Sequence, residues 1–247
     1  MRQLTDLEQR LTAAERERVS PNVRPRDAAT LIIVDRSGPI AKVLLGKRHH
    51  AHKFMPGKFV FPGGRLEPND RLMPVASPLN PVTEQYLMQS VRRPSVARAR
   101  GLALAAIRET FEETGLVLGA PLEATAPAPA GPWTEFAKAG FYPDLSSLHF
   151  IARAITPSRR PRRFDTRFFA VDASTIAHKV ENVVHADAEL VELVWMPIAD
   201  ARSLDLPTIT GVVLQELEAR VAAGFEHTLP VPFYRMPRKV FYRELIS

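Results

Sequence analysis

The sequence predicts a layered α/β or α+β domain. Apolar, β-branched runs typical of strands are interleaved along the chain with two long helical patterns. The 247 residues, 45% of them hydrophobic, are enough to form one sizeable core, and no linker-like stretch divides them. We therefore expect one domain with insertions.

Five stretches carry the strand signal. The apolar runs 28–34 and 40–45 flank a short group of turn residues, which predicts a hairpin. Three later runs, at 148–155, 167–171 and 190–196, are also predicted as strands. Together they supply enough strands for a central sheet.

Helical spacing is clearest in two places. The first pattern begins after Ser95, a good N-cap residue, and stops at Gly115, a residue typical of helix C-termini. The second covers 207–223 and closes the domain. Shorter helices are predicted within 83–91 and within 3–19, where Leu4, Leu7 and Leu11 lie at helical spacing. The N-terminal helix is expected to pack on the body or on a partner chain.

Composition sets the cellular context that we expect. The chain has 33 Lys and Arg against 27 Asp and Glu, a net charge of +6, which suits an anionic substrate and is also compatible with RNA. It has no cysteine, so disulfide and thiolate chemistry are excluded. No run approaches 18 apolar residues, and residues after Met1 turn charged. We expect a cytoplasmic protein without a membrane segment or signal peptide.

Three glutamates near the end of the long helix predict a cation site. Glu109, Glu112 and Glu113 share one helix face through their i, i+3 and i+4 spacing. Their mutual repulsion and the helix dipole both disfavour this placement. Carboxylates without nearby cysteine or paired histidine favour Mg²⁺ or Mn²⁺ over zinc. A solvated acidic helix end is the alternative interpretation.

The flanking residues resemble the Nudix box, Gly-x5-Glu-x7-Arg-Glu-U-x-Glu-Glu-x-Gly-U, where U is a bulky aliphatic residue. Gly64 takes the opening position, and the second half is matched by Arg108, Glu109, Glu112, Glu113, Gly115 and Leu116. Asp70 stands where the box has Glu, and Thr110 stands at a U position. Thirty-seven residues separate Asp70 from Arg108 in place of seven, so the box carries an insertion at about 71–97.

This resemblance to the MutT-like Nudix hydrolases implies a fold and an activity. The fold is an αβα sandwich with a mixed central sheet and a loop–helix–loop catalytic motif. The implied reaction is metal-dependent hydrolysis of a diphosphate bond in a nucleoside diphosphate linked to another moiety. We expect an N-terminal helical extension at 1–24, the Nudix domain at 25–225 and a C-terminal tail at 226–247.

The resemblance also implies residue roles. Glu112, Glu113 and the Gly63 carbonyl would bind the metal, Glu109 would be a further ligand or a general base, and Arg108 would orient a carboxylate. Catalytic roles are accordingly expected for Glu109, Arg108 and Glu113. A downstream acidic residue often joins such a site, and Glu189 is the first choice here, ahead of Asp187 and Glu192.

Features near the box are similar to a subgroup that includes the peroxisomal coenzyme A diphosphatases. These are the Leu44–Arg48 element, the approach 54–64 and the long insertion. The similarity implies coenzyme A or an acyl derivative as substrate, although Gly46 and Met55 depart from the subgroup pattern. Lys47 and Arg48 would grip phosphate, and Arg65 and Phe61 complete the predicted substrate contacts.

Several alternatives remain open at the level of sequence. His49, His50 and His52 can be loop histidines or metal ligands, and Trp133, Phe141 and Tyr142 can be core residues or an adenine pocket. The basic run 158–163 can meet phosphate or RNA. The rival functions are an RNA 5′-end diphosphate or cap hydrolase and a non-catalytic Nudix ligand-binding module. A homodimer is compatible with each of them.

Overall fold

The computed structural model describes residues 4–14, 20–51, 56–121, 127–237 and 239–247. The α-helices of this part are α1 (Asp6–Ala13), α2 (Pro81–Met88), α3 (Val96–Thr114), α4 (Pro132–Lys138), α5 (Ile198–Ala201) and α6 (Thr208–Ala222). The strands are β1 (Arg26–Asp35), β2 (Lys42–Arg48), β3 (Phe59–Val60), β4 (Gly63–Arg65), β5 (Leu116–Ala120), β6 (Tyr142–Pro143), β7 (His149–Ile155), β8 (Phe164–Asp172), β9 (Ile176–Lys179), β10 (Leu190–Pro197), β11 (Val231–Arg235) and β12 (Tyr242–Ile246).

A mixed sheet forms the centre of the molecule. Its strand order is β10-β2-β1-β8-β7-β11-β12, with β3 added to β2 and β4 added to β1. The pairs β1–β8 and β7–β11 are parallel and the other pairs are antiparallel. A smaller sheet has the order β6-β5-β9.

The two faces of the main sheet bury separate cores. Leu31 and Ile33 of β1 point to the face covered by α2 and α3, whereas Ile32 and Val34 point to the face covered by α5 and α6. This alternation follows from the two-residue period of a strand that is buried on both faces. The predicted αβα sandwich with a mixed central sheet is confirmed.

The main predicted elements are present. The hairpin is formed by β1 and β2, and the later apolar runs form β7, β8 and β10. Ser95 accepts the amide of Arg98 and begins α3, and Gly115 ends it in the left-handed conformation, at a φ of 75°. The helix predicted to close the domain is α6.

The insertion at 71–97 is part of the α3 side of the core. Met73, Leu79 and Leu87 are buried in it, and α2 packs on α3. Residues 231–246, within the segment expected to be a C-terminal tail, instead supply β11 and β12 to the main sheet. No helix in the described ranges is both long and apolar enough to cross a membrane.

The amphipathic helix predicted at the N-terminus is present as α1, and it packs on the body of the same chain. Thr5 caps it and forms a capping box with Glu8. Leu11 is buried beside α6 and β11, and the Glu8 carboxylate accepts the backbone amide of Arg243 at 2.6 Å. The helix therefore ties residues near the start of the described chain to its last strand.

We expect acid to destabilise the fold through His149, the first residue of β7. Its ring stacks on that of His227 at 3.8 Å, and its Nδ1 atom is buried without a partner. Burial, with the charges of His227 and two arginines, lowers the pKa of His149 to about 3. Because the unfolded histidine titrates near its ordinary value of about 6.5, stability should be lost as the pH falls from there toward 3.

The measurement is the free energy of unfolding by urea between pH 4 and pH 7. The linkage slope from one such group is at most about 1.4 kcal/mol per pH unit, and solvent screening of the partly exposed ring reduces it. The slope should decrease in His149→Gln and stay unchanged in His185→Gln, which alters an exposed histidine. An equal slope in wild type and His149→Gln would contradict the assignment.

Candidate functional site

The last two turns of α3 carry the candidate site. Arg108, Glu109, Glu112 and Glu113 lie there, directly before the turn at Gly115. A Cβ atom at Gly115 would lie 2.2 Å from the carbonyl oxygen of Val180, and the positive φ also favours glycine. Glycine at this position therefore allows the loop after β9 to pack closely on the end of the helix.

Arg108 lies at the centre of the site and is almost fully buried. Its guanidinium donates to Asp70 at 2.7 and 3.2 Å, to Glu109 at 2.9 Å and to Glu112 at 3.3 Å, and also to the carbonyl of Arg65 at 2.8 Å. Burial opposes its charge, but the bond to Asp70 and the neighbouring carboxylates keep the pKa of Arg108 raised. The predicted orienting role of Arg108 therefore has a geometric basis.

Asp70, which directly precedes the insertion at 71–97, holds Arg108 in place. Its side chain is fully buried and accepts the indole N–H of Trp133 at 3.1 Å and the backbone amide of Glu67 at 2.7 Å. Asp70 stands at the position where the box has Glu, and the shorter side chain reaches Arg108 directly. The role of Trp133 was not predicted, because a contact across 63 residues leaves no local signal.

The Gly-Gly turn lets the main chain approach the acidic residues. Gly64 of β4 lies so close to Glu109 that a Cβ atom there would be 2.2 Å from the carboxylate oxygen. The amide of Gly63 donates a hydrogen bond to Glu113. Both glycines are held in the sheet by pairing with Ala29 and Thr30 of β1. The turn and the helix face thus form one site.

Glu113 lies within electrostatic range of Glu189, the downstream residue that was the first choice to join the site. Burial raises its pKa well above the usual value, the charges of Glu189 and Glu109 raise it further, and Arg48 and the Gly63 amide oppose the shift. Arg48 forms a 2.8 Å ion pair with Glu189. One carboxylate oxygen of Glu113 and the Nε atom of Arg48 are buried without a partner.

The other two glutamates also resist ionisation. Burial raises the pKa of Glu109 to about 7, with Arg108 lowering it and Glu112 raising it. Burial likewise raises the pKa of Glu112, while Arg108 lowers it and Glu67 adds to the rise. For both carboxylates, burial raises the pKa by more than Arg108 lowers it. The site therefore has too little positive charge to balance its carboxylates.

The metal site stays a prediction. Within the ranges that the structure describes, no three Asp, Glu or His side chains converge closely enough to hold an ion. Arg108 Nη1 contacts both Glu109 and Glu112, so a cation must compete with it. The partnerless oxygen of Glu113 and the charge deficit nevertheless fit a hard divalent cation with oxygen ligands.

The remaining predicted residues lie at different distances from the cluster. Lys47 is 3.9 Å from Glu192 and lies over the ring of Phe59, and Arg65 is exposed beside the site. Phe61 is buried in the core on the α6 face of the sheet, where it packs and does not face the α3 glutamates. Asp187 is exposed in the loop before β10, and its amide bonds the ring of His185.

The structure also shows where the aromatic residues, the histidines and the basic run lie, for which two interpretations were open. Trp133 and Tyr142 are buried in the core, and Phe141 stacks on His178 at 6.0 Å. His49 and His50 belong to no metal-binding group among the described residues, and His52 lies outside them. In the basic run, Arg163 binds Asn22, the carbonyl of Val23 and the carbonyl of Thr156.

Comparisons with known proteins show a similar fold and a related sequence. The structure resembles that of a NUDIX hydrolase from Alicyclobacillus acidocaldarius, with a TM-score of 0.63 and 26% identity, over 84% of this chain and 97% of that one. The sequence is 29% identical to the acyl-coenzyme A diphosphatase NUDT19 of Gallus gallus. That alignment covers 52% of this chain and 47% of the relative, so it spans about half of the relative's length.

No protein-family model matches the chain. The predicted fold is nevertheless confirmed by the structural likeness, and the sequence likeness supports the resemblance to the coenzyme A diphosphatases.

Proposed function

We propose that this chain, a Nudix hydrolase, cleaves the diphosphate bond of a nucleoside diphosphate linked to a second moiety, in a reaction that depends on Mg²⁺ or Mn²⁺. Coenzyme A or an acyl-coenzyme A is the first candidate substrate. The observation that carries the proposal is the carboxylate cluster of Glu109, Glu112 and Glu113, in which Arg108 contacts the first two and Glu113 is buried with one partnerless oxygen.

The residues that would hold the metal are Glu112, Glu113 and Glu109, with the Gly63 carbonyl and Glu189 at the edges of the set. Bound there, a divalent cation neutralises diphosphate oxygens and lowers the pKa of a water. Glu113 fits this role because it is buried, is repelled by two neighbouring carboxylates and has one partnerless oxygen. Without a cation, three ionised glutamates at this place would be costly.

Residues of the chain have separate roles in the proposed reaction. Glu109, whose pKa is raised to about 7, is suited to accept a proton from the attacking water near neutral pH. Arg108 orients Glu109 and Glu112 and is itself fixed by Asp70. Arg48 reaches the cluster through Glu189 and offers a positive charge to a substrate phosphate.

The choice of substrate rests on the relative and on the sequence around the box. The Gallus gallus relative is named an acyl-coenzyme A diphosphatase. The Leu44–Arg48 element and the long box insertion are also similar to that subgroup. Arg48, which that element supplies, lies beside Glu189 at the site.

The test is the release of phosphorylated products from a panel of coenzyme A, NADH, ADP-ribose, diadenosine polyphosphates and triphosphorylated RNA. Each reaction is run with Mg²⁺, with Mn²⁺ and with EDTA. We expect metal-dependent cleavage of coenzyme A well above the other compounds. Preferred cleavage of RNA would replace the substrate assignment, and tight metal-dependent binding of one compound without cleavage would favour the binding-module alternative.

A further inference from the structure

The carboxylate of Asp70 is held by four hydrogen bonds. Its Oδ1 atom accepts Nε of Arg108 at 2.7 Å and the indole N–H of Trp133 at 3.1 Å. Its Oδ2 atom accepts the backbone amide of Glu67 at 2.7 Å and Nη2 of Arg108 at 3.2 Å. An ionised carboxylate has about four acceptor positions, so the capacity of Asp70 is used in full and its orientation is fixed.

Trp133 is the donor of this set that comes from outside the box. Arg108 and Glu67 belong to the box, whereas Trp133 lies in α4, which follows β5. Its side chain is 1% exposed, and its indole nitrogen can only donate. A buried N–H of this kind needs an acceptor, and the structure gives it the Asp70 carboxylate. Trp133 is therefore committed to Asp70.

Two other aromatic rings hold the indole against α3. The rings of Trp133 and Phe136 meet edge to face, with centroids 5.5 Å apart. Phe136 meets Phe111 of α3 in the same way at 5.1 Å. This geometry is the one that aromatic pairs prefer. Because Phe111 directly precedes Glu112, the indole N–H has a fixed place relative to the helix that carries the acidic residues.

The orientation of Asp70 reaches the acidic residues through Arg108. The same guanidinium that binds Asp70 through Nε and Nη2 donates from Nη1 to Glu109 at 2.9 Å and to Glu112 at 3.3 Å. A guanidinium is planar and rigid, so the two atoms that bind Asp70 also set the direction of the third. A displacement of Asp70 would therefore change both contacts of Arg108 with the glutamates.

We propose that Trp133 is a positioning residue for the divalent cation of the acidic site. By holding Asp70, it keeps the guanidinium of Arg108 drawn toward Asp70, so that Arg108 does not close over Glu109 and Glu112. The two carboxylates then stay accessible to the cation, which must compete with Arg108 for them. This inference rests on the proposed function, since the cation belongs to it.

The test is the binding of Mn²⁺ to the full chain without substrate, followed by electron paramagnetic resonance of the unbound ion. Trp133→Phe removes the N–H and keeps an aromatic ring. We expect it to raise the Kd of Mn²⁺ by about 10-fold, the lower end of the loss that follows when an outer partner of metal ligands is mutated. At a fixed, low Mn²⁺ concentration kcat should fall as well, while the KM of the cleaved compound stays unchanged.

Three further variants separate positioning from a general loss of packing. Tyr86→Phe removes another buried aromatic donor of the same core, which bonds the carbonyl of Thr228 at 3.1 Å, and Leu87→Ala removes buried apolar contacts of α2. Both should lower the Tm and leave the Kd of Mn²⁺ as in wild type. Asp70→Asn weakens the bond to Trp133 from the other side and should raise the Kd. Adding Trp133→Phe to it should raise the Kd no further, because Trp133 acts through Asp70.

The role of Trp133 and the proposed function fail in different ways. If wild type binds Mn²⁺ but cleaves no compound of the panel, the proposed function is wrong, and the Kd values still test Trp133. An unchanged Kd in Trp133→Phe, an equal rise in Leu87→Ala, or a further full rise in the protein that carries Asp70→Asn would overturn the role of Trp133, even where coenzyme A is cleaved. A wild type that does not bind Mn²⁺ would contradict both.

Discussion

Glu113→Gln is expected to lower kcat for diphosphate hydrolysis by at least about 100-fold while the fold stays intact. Loss of one ligand to a catalytic cation removes several kcal/mol of transition-state stabilisation, and each 1.4 kcal/mol is a factor of ten. Glutamine has nearly the same shape as glutamate and carries no charge. The measurement is steady-state turnover of coenzyme A with Mg²⁺ and with Mn²⁺.

Stability separates this effect from unfolding. Glu113 is buried with a partnerless oxygen and a raised pKa, so removing its charge should leave the Tm in EDTA equal or higher. Added Mn²⁺ should raise the Tm of wild type and have a smaller effect on the variant. Glu135→Gln, on the exposed side of α4, is the matched control and should behave as wild type. Near wild-type turnover by Glu113→Gln would show that the metal assignment is wrong.

Arg108→Ala is expected to cost about 3–5 kcal/mol in the free energy of unfolding, the loss typical of breaking a buried ion pair from one side. Asp70, which is fully buried, would then lose the guanidinium that binds its carboxylate. Urea unfolding monitored by circular dichroism measures this loss. Among molecules that remain folded, turnover should fall less than in Glu113→Gln, because Arg108 acts by orienting the carboxylates.

Two further variants test the same pair. In a protein that already carries Asp70→Asn, Arg108→Ala should lower the free energy of unfolding by less than it does in wild type. The two residues share one interaction, so their effects are not additive. Arg36→Ala, which breaks an exposed pair with Asp172, should cost no more than about 1 kcal/mol. A loss of that small size for Arg108→Ala would contradict the expected cost of breaking the buried Arg108–Asp70 pair.

The long helix α3 could be predicted from sequence because its determinants are local. Ser95 and Gly115 mark its two ends, and the glutamate spacing places the acids on one face whatever the surrounding fold. The hairpin of β1 and β2 was predicted for the same reason, since its two apolar runs flank a short turn. Local capping and periodicity were sufficient for these elements.

Contacts between distant segments could not be predicted. Trp133 reaches Asp70 from the short helix α4, which follows an Ala- and Pro-rich stretch without a helical period. β11 contains Pro232, a residue that argues against a strand. β11 pairs with β7 only at Phe233 and Tyr234, whereas Pro232 is in register with Leu245 of β12. A cavity lined by Arg26, Arg65 and Arg71 combines side chains from β1 with side chains from β4 and the residues after it, which are adjacent only after folding.

The docking of α1 has a consequence for synthesis on the ribosome. Glu8 binds the amide of Arg243, and Thr12 binds the amide of Phe241, across more than 220 residues of chain. A nascent chain therefore carries residues 6–13 without their final partners until β12 has left the exit tunnel. The contacts of α1 with residues 241–243 are expected to form among the last events of folding, because they join the parts of the chain that are most distant in sequence.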